Sequence, residues 1–304
     1  MTRAEQLDPP PADTGAMTID VEDYYQVEAF ASTIKRSDWD RLPPRVEQNT
    51  FRLLDLLGEA GVEATFFTLG SVARRHPALA RRIVADGHEL ASHGTDHLRV
   101  DRQSPAAFRA DVRDSKKILE DIGGVVVSGY RAPTFSIGCD TGWAHAILAE
   151  EGYRYSSSVY PVKHDLYGSP DAPRSAFAPV PGLVEIPLTT VRLLGRDIPA
   201  SGGGYFRLFP YPLTRWLLGR AGRQPTPPIF YLHPWEIDPG QPRQRQAPWR
   251  SRIRHYLNLS RTEPRLRRLL RHFSWTRMDR LFLSDLSGPY PLIEAWTQAR
   301  SPLP

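Results

Sequence analysis

Two histidines in the segment SHGTDH have the spacing of metal ligands. His93 and His97 stand four residues apart, directly after an apolar run. In a turn of helix, side chains at this spacing project to one side, within reach of one ion. Surface and helix-capping histidines share the same spacing. A metal site therefore also needs a third, usually anionic ligand, with positions left open for substrate and water.

Three carboxylates in the segment TIDVEDYY are the obvious source of that ligand. Asp20, Glu22 and Asp23 fall within four residues at the end of the first apolar run. One aspartate could cap the following helix, but three exceed what a cap needs. Their repulsion would raise their pKa values unless a cation or an arginine stood nearby. Alternation along an extended strand would put Asp20 and Glu22 on one side, whereas a turn after Glu22 would bring in Asp23.

Arg131 and His233 lie in two further motifs, GYRAPTF and IFYLHPWEID. Arg131 is a candidate to hold one carboxylate ionised and oriented through a charge-assisted contact. Pro133 and Phe135 beside it indicate a pocket wall. His233 ends an apolar run and is either a satisfied core histidine or, opposite a metal-bound water, a general acid.

Seven short apolar runs alternate with amphipathic helical patterns, which is typical of a mostly parallel sheet or barrel with outer helices. Seven runs suit a barrel as well as an open sheet. Chemistry in such folds collects at the carboxyl ends of the strands, so the acidic cluster, the histidine pair, Arg131 and His233 would face one mouth. The predicted strands are 17–21, 64–69, 88–92, 125–130, 153–159, 183–188 and 229–233.

Composition limits the class of protein. The 304 residues carry a formal net charge of +5, and the arginines concentrate after about Arg215. That bias favours an anionic partner such as a membrane surface or a phosphorylated carrier, or else a solvated basic face. The single cysteine, Cys139, excludes an internal disulfide framework and a cysteine metal cage. No window approaches the roughly 20 apolar residues that cross a bilayer, so a soluble, cytoplasmic protein is expected.

The sequence divides into three predicted segments. Residues 1–16 carry acids and prolines where a secretory signal would be apolar, and they are predicted to be a disordered leader. Residues 17–238 are predicted to form the barrel. Residues 239–304, in which prolines interrupt a basic stretch before a helix opening at 261–264, are predicted to be an accessory segment packed on the barrel.

Six ordered motifs resemble the NodB-homology polysaccharide deacetylases, carbohydrate esterase family 4. The resemblance covers about residues 17–238 and is strongest to the branch found in exopolysaccharide and exosortase (PEP-CTERM) loci, whose extra C-terminal segment resembles the tail. It implies an α/β fold, a distorted (β/α)7 barrel of mostly parallel strands with a C-terminal extension. The motifs are DVEDYYQVEAF, TFFTLG, HELASHGTDH, GYRAPTFSI, GGGYFR and YLHPWE.

The resemblance also implies an Asp-His-His site for a divalent metal, Zn²⁺ before other divalent transition metals. For the third ligand we favour Asp23, with Glu22 as the alternative. No candidate emerges for the partner of His233. Carried over by position, the remaining roles are Asp20 as catalytic base, Arg131 as the residue orienting it, His93 and His97 as metal ligands and His233 as acid.

The implied reaction removes N-acetyl groups from an N-acetylhexosamine-containing glycan, free or lipid-linked, in exopolysaccharide biosynthesis at or near the inner face of the membrane. Pro133, Phe135, Tyr205 and Trp235 are candidate contacts for a sugar ring, although aromatic residues more often serve as packing. The alternatives are an allantoinase-like amidohydrolase acting on a small amide and an inactive glycan-binding homologue. The sequence indicates no nucleic-acid partner and leaves the oligomeric state open.

Overall fold

A curled, mostly parallel sheet forms the centre of the protein, whose computed structural model describes residues 14–284 and 290–293. The strands are β1 (Gly15–Val21), β2 (Thr65–Thr68), β3 (Glu89–Ser92), β4 (Gly129–Tyr130), β5 (Tyr155–Ser156), β6 (Phe177–Val180), β7 (Leu183–Glu185), β8 (Thr190–Leu193), β9 (Arg196–Pro199), β10 (Ile229–Leu232) and β11 (Trp275–Thr276).

The main sheet contains nine of these strands, in the spatial order β10-β1-β2-β3-β4-β5-β7-β6, with β11 alongside the start of β1. All neighbours are parallel except β6, which runs antiparallel to β7. Each of the seven predicted runs contains one strand of the parallel set. The predicted distorted barrel is confirmed, in the form of a curled half-barrel with outer helices.

The central strands are covered on both faces. Every residue of β1, β2, β3 and β10 is buried. Parallel strands that are covered on both sides have nearly continuous apolar sequences, because neither face meets water. This burial explains why the apolar runs located these strands correctly.

The longest helix begins and ends at ordinary capping signals. The Ser104 hydroxyl accepts a hydrogen bond from the Ala107 N–H at the start of the longest helix, which ends at Gly124 with φ of 68°. The predicted apolar stripes are buried, as Leu53 and Phe108 illustrate. The helices are α1 (Val46–Glu59), α2 (Gly70–Arg75), α3 (Pro77–Ala85), α4 (Pro105–Gly123), α5 (Trp143–Glu150), α6 (Gly203–Leu208), α7 (Tyr211–Ala221), α8 (Trp249–Tyr256), α9 (Leu259–His272) and α10 (Met278–Phe282).

A two-stranded hairpin, β8–β9, was not predicted. Its turn residues, Leu194 and Gly195, have φ of 49° and 77°. Two-residue hairpin turns with positive φ at both positions normally carry Asn-Gly or Asp-Gly. Leucine in the first position, fully exposed here, removes the usual signal from the sequence.

The C-terminal part of the chain joins the main sheet. Strand β11 pairs with the start of β1, and Trp275 lies so close to Gly15 that a Cβ there would be 2.9 Å from its ring. Strand β1 begins inside the segment predicted as a leader, and α9 begins at Leu259, before the predicted opening. Residues 1–13, 285–289 and 294–304 lie outside the described residues, and the three-segment division stays a prediction.

Within residues 14–284 and 290–293, no helix combines the length and the apolar character that a membrane crossing requires.

Candidate active site

An open cleft lies at the carboxyl ends of the parallel strands, and it collects the residues that the sequence singled out. Its volume is about 170 Å³. Strand β1 contributes the acidic residues, the loop after β3 the two histidines, and the loop after β10 the third histidine. The main lining side chains are Asp20, Glu22, His93, His97, Phe135, Tyr167, Arg207, Tyr231, His233, Trp235 and Glu236.

Glu22, His93 and His97 form a group that could hold a metal ion. One ligand atom from each lies within 4.8 Å of the other two, and all three residues are buried. His93 Nδ1 lies 2.8 Å from the backbone oxygen of Arg131. Because a carbonyl oxygen only accepts, Nδ1 carries the proton, and this leaves the Nε2 lone pair free for an ion.

The electrostatics of this group also fit a cation. Glu22 Oε2 is buried without a hydrogen bond and lies 2.6 Å from His97 Nε2. Burial opposes ionisation of Glu22, but His97 and His233 outweigh it and lower the pKa of its carboxyl to about 2. Burial lowers the pKa of His93 to about 4. A charged carboxylate and a neutral imidazole are the protonation states that bind metal.

The SHGTDH segment is an irregular loop, so the expectation that its histidines share a helical turn is wrong. Gly94 and His97 have φ of 77° and 57°. The Asp111 carboxylate accepts a hydrogen bond from the Thr95 N–H, and the Thr95 hydroxyl donates to the Asp111 backbone oxygen, both at 3.0 Å. The loop still brings the two imidazole rings to 5.4 Å between centroids.

Asp23, the ligand favoured from the sequence, does not join the group. Its Oδ2 accepts hydrogen bonds from the N–H groups of Arg45 and Val46 at 2.7 and 3.0 Å, and its Oδ1 accepts one from Tyr24 at 2.9 Å. Asp23 therefore caps the start of α1, the role weighed against metal binding for this cluster. Burial raises the pKa of its carboxyl to about 6. The group of possible ligand atoms within the described residues thus contains Glu22 and not Asp23.

Asp20 and Arg131 form a buried ion pair. Arg131 Nη1 donates to Asp20 Oδ1 at 2.7 Å, and the two side chains are 2% exposed or less. The same guanidinium group also donates to Thr18 and to two oxygens of Ser157, at 2.8 to 3.1 Å. These contacts fix the arginine, which in turn holds one oxygen of Asp20 and leaves the other, Oδ2, on the cleft side, 3.9 Å from His233 Nε2.

His233 has a partner that the sequence did not reveal. Its Nδ1 lies 2.8 Å from Glu236 Oε1, and Arg207 Nε donates to Glu236 Oε2 at 2.7 Å. Burial opposes ionisation, but Arg207 and His233 outweigh it and lower the pKa of Glu236 to about 2. Glycine is required at 203, because a Cβ there would lie 1.9 Å from Glu236 Oε1.

Nε2 of His233 points to the acidic side of the cleft. It lies 3.4 Å from Glu22 Oε1 and 3.9 Å from Asp20 Oδ2. Burial lowers the pKa of His233, but Glu22 and Glu236 outweigh burial and raise it to about 9. The ring therefore carries a proton on each nitrogen at neutral pH.

The C-terminal segment is connected to this side of the cleft through Arg207. Nη1 of Arg207 donates to the backbone oxygens of Arg254, His255 and Leu257 at 2.8 to 3.0 Å. These oxygens lie at the end of α8, where intrahelical partners are missing. The arginine that orients Glu236 thus also joins α8 to the sheet.

The candidate sugar contacts differ in their accessibility. Trp235 is only 6% exposed and stacks between His233 and His255, at 5.2 and 4.1 Å between centroids, so its faces are already covered. Phe135 lines the cleft, whereas Pro133 is buried and Tyr205 is partly exposed outside the lining.

Sequence reasoning missed Glu236, Arg207 and Tyr167. The interval of three residues between His233 and Glu236, across a proline, is the spacing of a capping box and could have signalled the contact. Arg207 and Tyr167 gave no such signal, because each reaches the cleft from a distant loop or helix.

Two family models match the chain in succession. Residues 37–156 match the model described as polysaccharide deacetylase, and residues 157–283 match a domain of unknown function, DUF3473. His93, His97 and Arg131 lie in the first match, whereas Arg207, His233 and Glu236 lie in the second. The cleft is therefore assembled from both matched regions, together with β1.

Curated relatives match about a quarter of the chain or less. A peptidoglycan-N-acetylglucosamine deacetylase of Bacillus cereus is 37% identical over 71 residues, 23% of this chain and 33% of that protein. A chitooligosaccharide deacetylase of Bradyrhizobium sp. is 37% identical over 67 residues, 22% of this chain and 31% of that protein. The chain thus spans about a third of the length of these relatives.

Solved structures share the fold over nearly the whole chain. A Mycobacterium smegmatis protein assigned as a polysaccharide deacetylase has a TM-score of 0.58 at 22% identity, covering 96% of this chain and 98% of that one. Puue allantoinase has a TM-score of 0.56 at 16% identity, covering 94% and 96%. The family model over residues 37–156 and the curated relatives thus make this chain similar to polysaccharide deacetylases over part of its length.

Proposed function

We propose that the protein is a metal-dependent deacetylase that hydrolyses N-acetyl groups of an N-acetylhexosamine-containing glycan. The observation that carries the proposal is that the Glu22–His93–His97 group, Asp20 and His233 line one cleft, with His233 Nε2 close to both carboxylates. Amide hydrolysis needs one group to take a proton from water and another to give a proton to the departing amine. This cleft offers both beside a ligand set.

Glu22, His93 and His97 are the proposed ligands. Two imidazoles and a carboxylate, with further positions open, form the donor set typical of catalytic zinc. When bound there, a divalent ion would supply Lewis-acid polarisation of the acetamide carbonyl and of the attacking water. The choice of zinc over other divalent ions rests on this donor set.

Asp20 is the proposed general base. Arg131 occupies Asp20 Oδ1, so Oδ2 is the oxygen available to accept a proton from the attacking water. Because Arg131 is itself held by Thr18 and Ser157, the base is oriented before substrate arrives. Such preorganisation avoids rearrangement during the reaction.

His233 is the proposed general acid. Glu236 holds its Nδ1 proton, which directs the Nε2 proton into the cleft. As the carbon–nitrogen bond of the acetamide breaks, that proton passes to the amine nitrogen, and acetate and a free amino sugar leave. A cation beside Glu22 would lower the pKa of His233 from the value it has without one and so ease the transfer.

The substrate class rests on the curated relatives, two of which are deacetylases of N-acetylglucosamine-containing or chitooligosaccharide substrates by name. The cleft is open rather than closed over a small ligand, and Phe135 and Tyr167 line it. Both features favour a glycan over a small amide. A role in exopolysaccharide biosynthesis, a lipid-linked substrate and a cytoplasmic location stay predictions.

Acetate release tests the proposed function. The protein would be stripped with a chelator, reloaded with Zn²⁺ or another divalent ion, and offered N-acetylglucosamine oligomers, peptidoglycan fragments, allantoin and small acetamides. We expect metal-dependent acetate release from the glycans and its loss in His93→Ala and His97→Ala. His76→Ala, outside the cleft, is the control. Activity confined to allantoin or small amides would refute the substrate class, and full activity in His93→Ala would refute the metal site.

Metal content distinguishes the two candidate third ligands. We expect Glu22→Ala to lose bound Zn²⁺ and Asp23→Asn to retain it, because Asp23 is occupied by three backbone N–H groups. The measurement is the metal-to-protein ratio after dialysis against a weak chelator. The opposite pattern would restore Asp23 as the ligand.

A further inference from the structure

A second groove lies away from the cleft, between α7 and α9. Its volume is about 450 Å³, and α7 provides most of its wall. We call it the basic groove. The residues that line it are Tyr211, Pro212, Arg215, Trp216, Gly219, Arg220, Arg223 and Arg268.

The four arginines of the basic groove have no acidic partners. All four are exposed, and none of their guanidinium groups makes an ion pair or a hydrogen bond with the part of the chain that the structure describes. Residues 198–235 contain no aspartate or glutamate. Elsewhere on α9 the pattern differs, since Arg267 pairs with both Glu59 and Glu263. The positive charge of the groove is therefore not balanced by carboxylates within the described residues, although carboxylates do pair with an arginine elsewhere on α9.

The positive charges lie close together. Arg268 stacks over Tyr211 at 4.4 Å, and the Tyr211 hydroxyl contacts His272 Nδ1 at 2.7 Å. Partial desolvation and the charges of Arg215 and Arg268, with that of Arg271, lower the pKa of His272. Residues from both helices thus add to one positive field.

Exposed apolar side chains of α6 and α7 lie close to these arginines in the sequence. Trp216 is 50% exposed, Leu213 is 39% exposed and Leu208 is 55% exposed. Leu213 and Trp216 are three residues apart on α7 and so share a face. A tryptophan and leucines next to arginines match the chemistry of a lipid interface, with a polar headgroup layer above an apolar one.

We propose that the basic groove docks the protein on an anionic lipid membrane, with its arginines at the headgroup phosphates and Trp216 in the interfacial layer. A nucleic acid would also meet the charge, but it offers no apolar layer for Leu208 and Leu213. The proposal is independent of the deacetylase activity, because neither the groove nor its test involves the cleft.

Vesicle co-sedimentation of the full chain tests the proposal. The probes are vesicles of phosphatidylcholine alone and of phosphatidylcholine with phosphatidylglycerol. We expect binding only to the anionic vesicles, weakening as salt is raised. Each arginine near an anionic surface contributes about fivefold in affinity, so Arg215→Gln, Arg220→Gln and Arg268→Gln combined should weaken binding at least ~10-fold.

A matched variant separates the groove from net charge. Arg74→Gln, Arg81→Gln and Arg154→Gln combined remove the same charge from exposed arginines outside the groove, whose side chains also lack partners in the described residues. We expect this variant to bind like the parent protein. Equal weakening in both variants would overturn the proposal, because binding would then follow net charge alone.

Two further results complete the test. We expect Trp216→Ser to weaken vesicle binding several-fold and Trp249→Ser, at a tryptophan on α8 that is 65% exposed, to leave it unchanged. No binding to anionic vesicles by a protein that does bind duplex DNA or inorganic pyrophosphate would overturn the proposal in favour of those ligands. Unchanged thermal unfolding would confirm that each variant is folded.

Discussion

On each side of the cleft an arginine binds a buried carboxylate, but the two carboxylates differ in how directly they would take part in the proposed reaction. On one side Arg131 donates to Asp20, and on the other Arg207 donates to Glu236, each at 2.7 Å and each pair almost fully buried. Asp20 faces the cleft itself. Glu236 acts through His233, since its Oε1 contacts Nδ1 of that ring and Nε2 of the ring faces Glu22 and Asp20.

The difference separates a reacting group from a positioning group. Both arginines offset the cost of burying a carboxylate, which would otherwise favour the neutral acid. Arg131 is anchored by neighbouring strands and loops of the sheet, whereas Arg207 is anchored by the end of α8. The position of the proposed base thus depends on contacts within the sheet, whereas the position of the proposed acid depends on contacts with the C-terminal segment.

The largest effect is expected at the base. Asp20→Asn keeps the shape of the side chain and removes the proton acceptor, so kcat for acetate release should fall by about 10²–10⁴-fold. Bound metal should be retained, because Asp20 lies outside the ligand group. The measurements are steady-state kinetics and metal content of the same preparation. Loss of the metal along with activity would place Asp20 among the ligands, and the contrast between a reacting Asp20 and a positioning Glu236 would then be wrong.

A smaller effect is expected at the partner of the acid. Glu236→Gln should lower kcat by about 10–100-fold, as removal of an orienting partner does, with KM little changed. Because Glu236 raises the pKa of His233, the fall of kcat at high pH should move to lower pH in this variant. If Glu236 had only a structural role, the fall of kcat at high pH would occur at the same pH in both proteins.

Asp238→Asn is the control for Glu236→Gln. It lies two residues away, is buried, and contacts Asn49 rather than His233. We expect its pH profile to match that of the parent protein. If Glu236→Gln shows the same profile as this control, Glu236 does not set the protonation of His233.

The base side could be predicted from the sequence, whereas on the acid side His233 could be predicted and its partners Glu236 and Arg207 could not. Strand ends that follow strong apolar runs located Asp20, His93, Arg131 and His233. The structure brings the carboxylate and the two histidines to one cleft, and the arginine is buried and bound to the carboxylate. Whether Glu22 or Asp23 lies beside the histidines depends on the backbone path of a single turn, which the periodicity of the sequence does not indicate. Arg207 contacts Glu236 across 29 residues, a separation that the pattern of one sequence does not reveal.

The strands also fall into a group that the sequence predicts and a group that it does not. The seven parallel strands lie in mostly apolar runs and were found, although β4 and β5 shrink to two residues each. Strands that depend on an edge, such as β6, or on an unusual turn, as in β8–β9, were missed. Local composition reports burial well and reports pairing at an exposed edge poorly.

A mixed effect on stability and activity is expected at Arg207. Lysine keeps the charge, but its compact ammonium group lacks the planar fork whose separate nitrogens bind Glu236 and the end of α8. Arg207→Lys should therefore lose one of these two sets of contacts. We expect kcat to fall several-fold and the melting temperature to drop by a few degrees, since charge-assisted hydrogen bonds contribute about 1.5–3 kcal/mol each.

Arg131→Lys is the matched variant on the other side. We expect it to lower kcat further than Arg207→Lys does, because Arg131 contacts the base directly. Differential scanning calorimetry and kinetics on the two proteins make the comparison. A larger loss of kcat in Arg207→Lys would reverse the assignment of the reacting and positioning sides.

The smallest effect on activity is expected at a buried carboxylate to which no arginine is bound. Glu89 accepts hydrogen bonds from Thr65 and Tyr155 at the opposite end of the sheet from the cleft, and burial, aided by Asp279, raises its pKa to about 8. Since its pKa in the unfolded chain is about 4.5, the folded state binds the extra proton between these values. The stability that Glu89 contributes is complete below about pH 4.5 and is lost as pH rises through about 8.

Glu89→Gln should remove this dependence while leaving kcat unchanged. In the parent protein, the free energy of unfolding should fall between pH 5 and pH 8 by up to about 1.4 kcal/mol per pH unit from this group. Denaturant unfolding at several pH values measures the slope in both proteins. Because no guanidinium group of the described residues forms a hydrogen bond with Glu89, a parent protein without this slope would show that burial does not raise the pKa of this carboxyl.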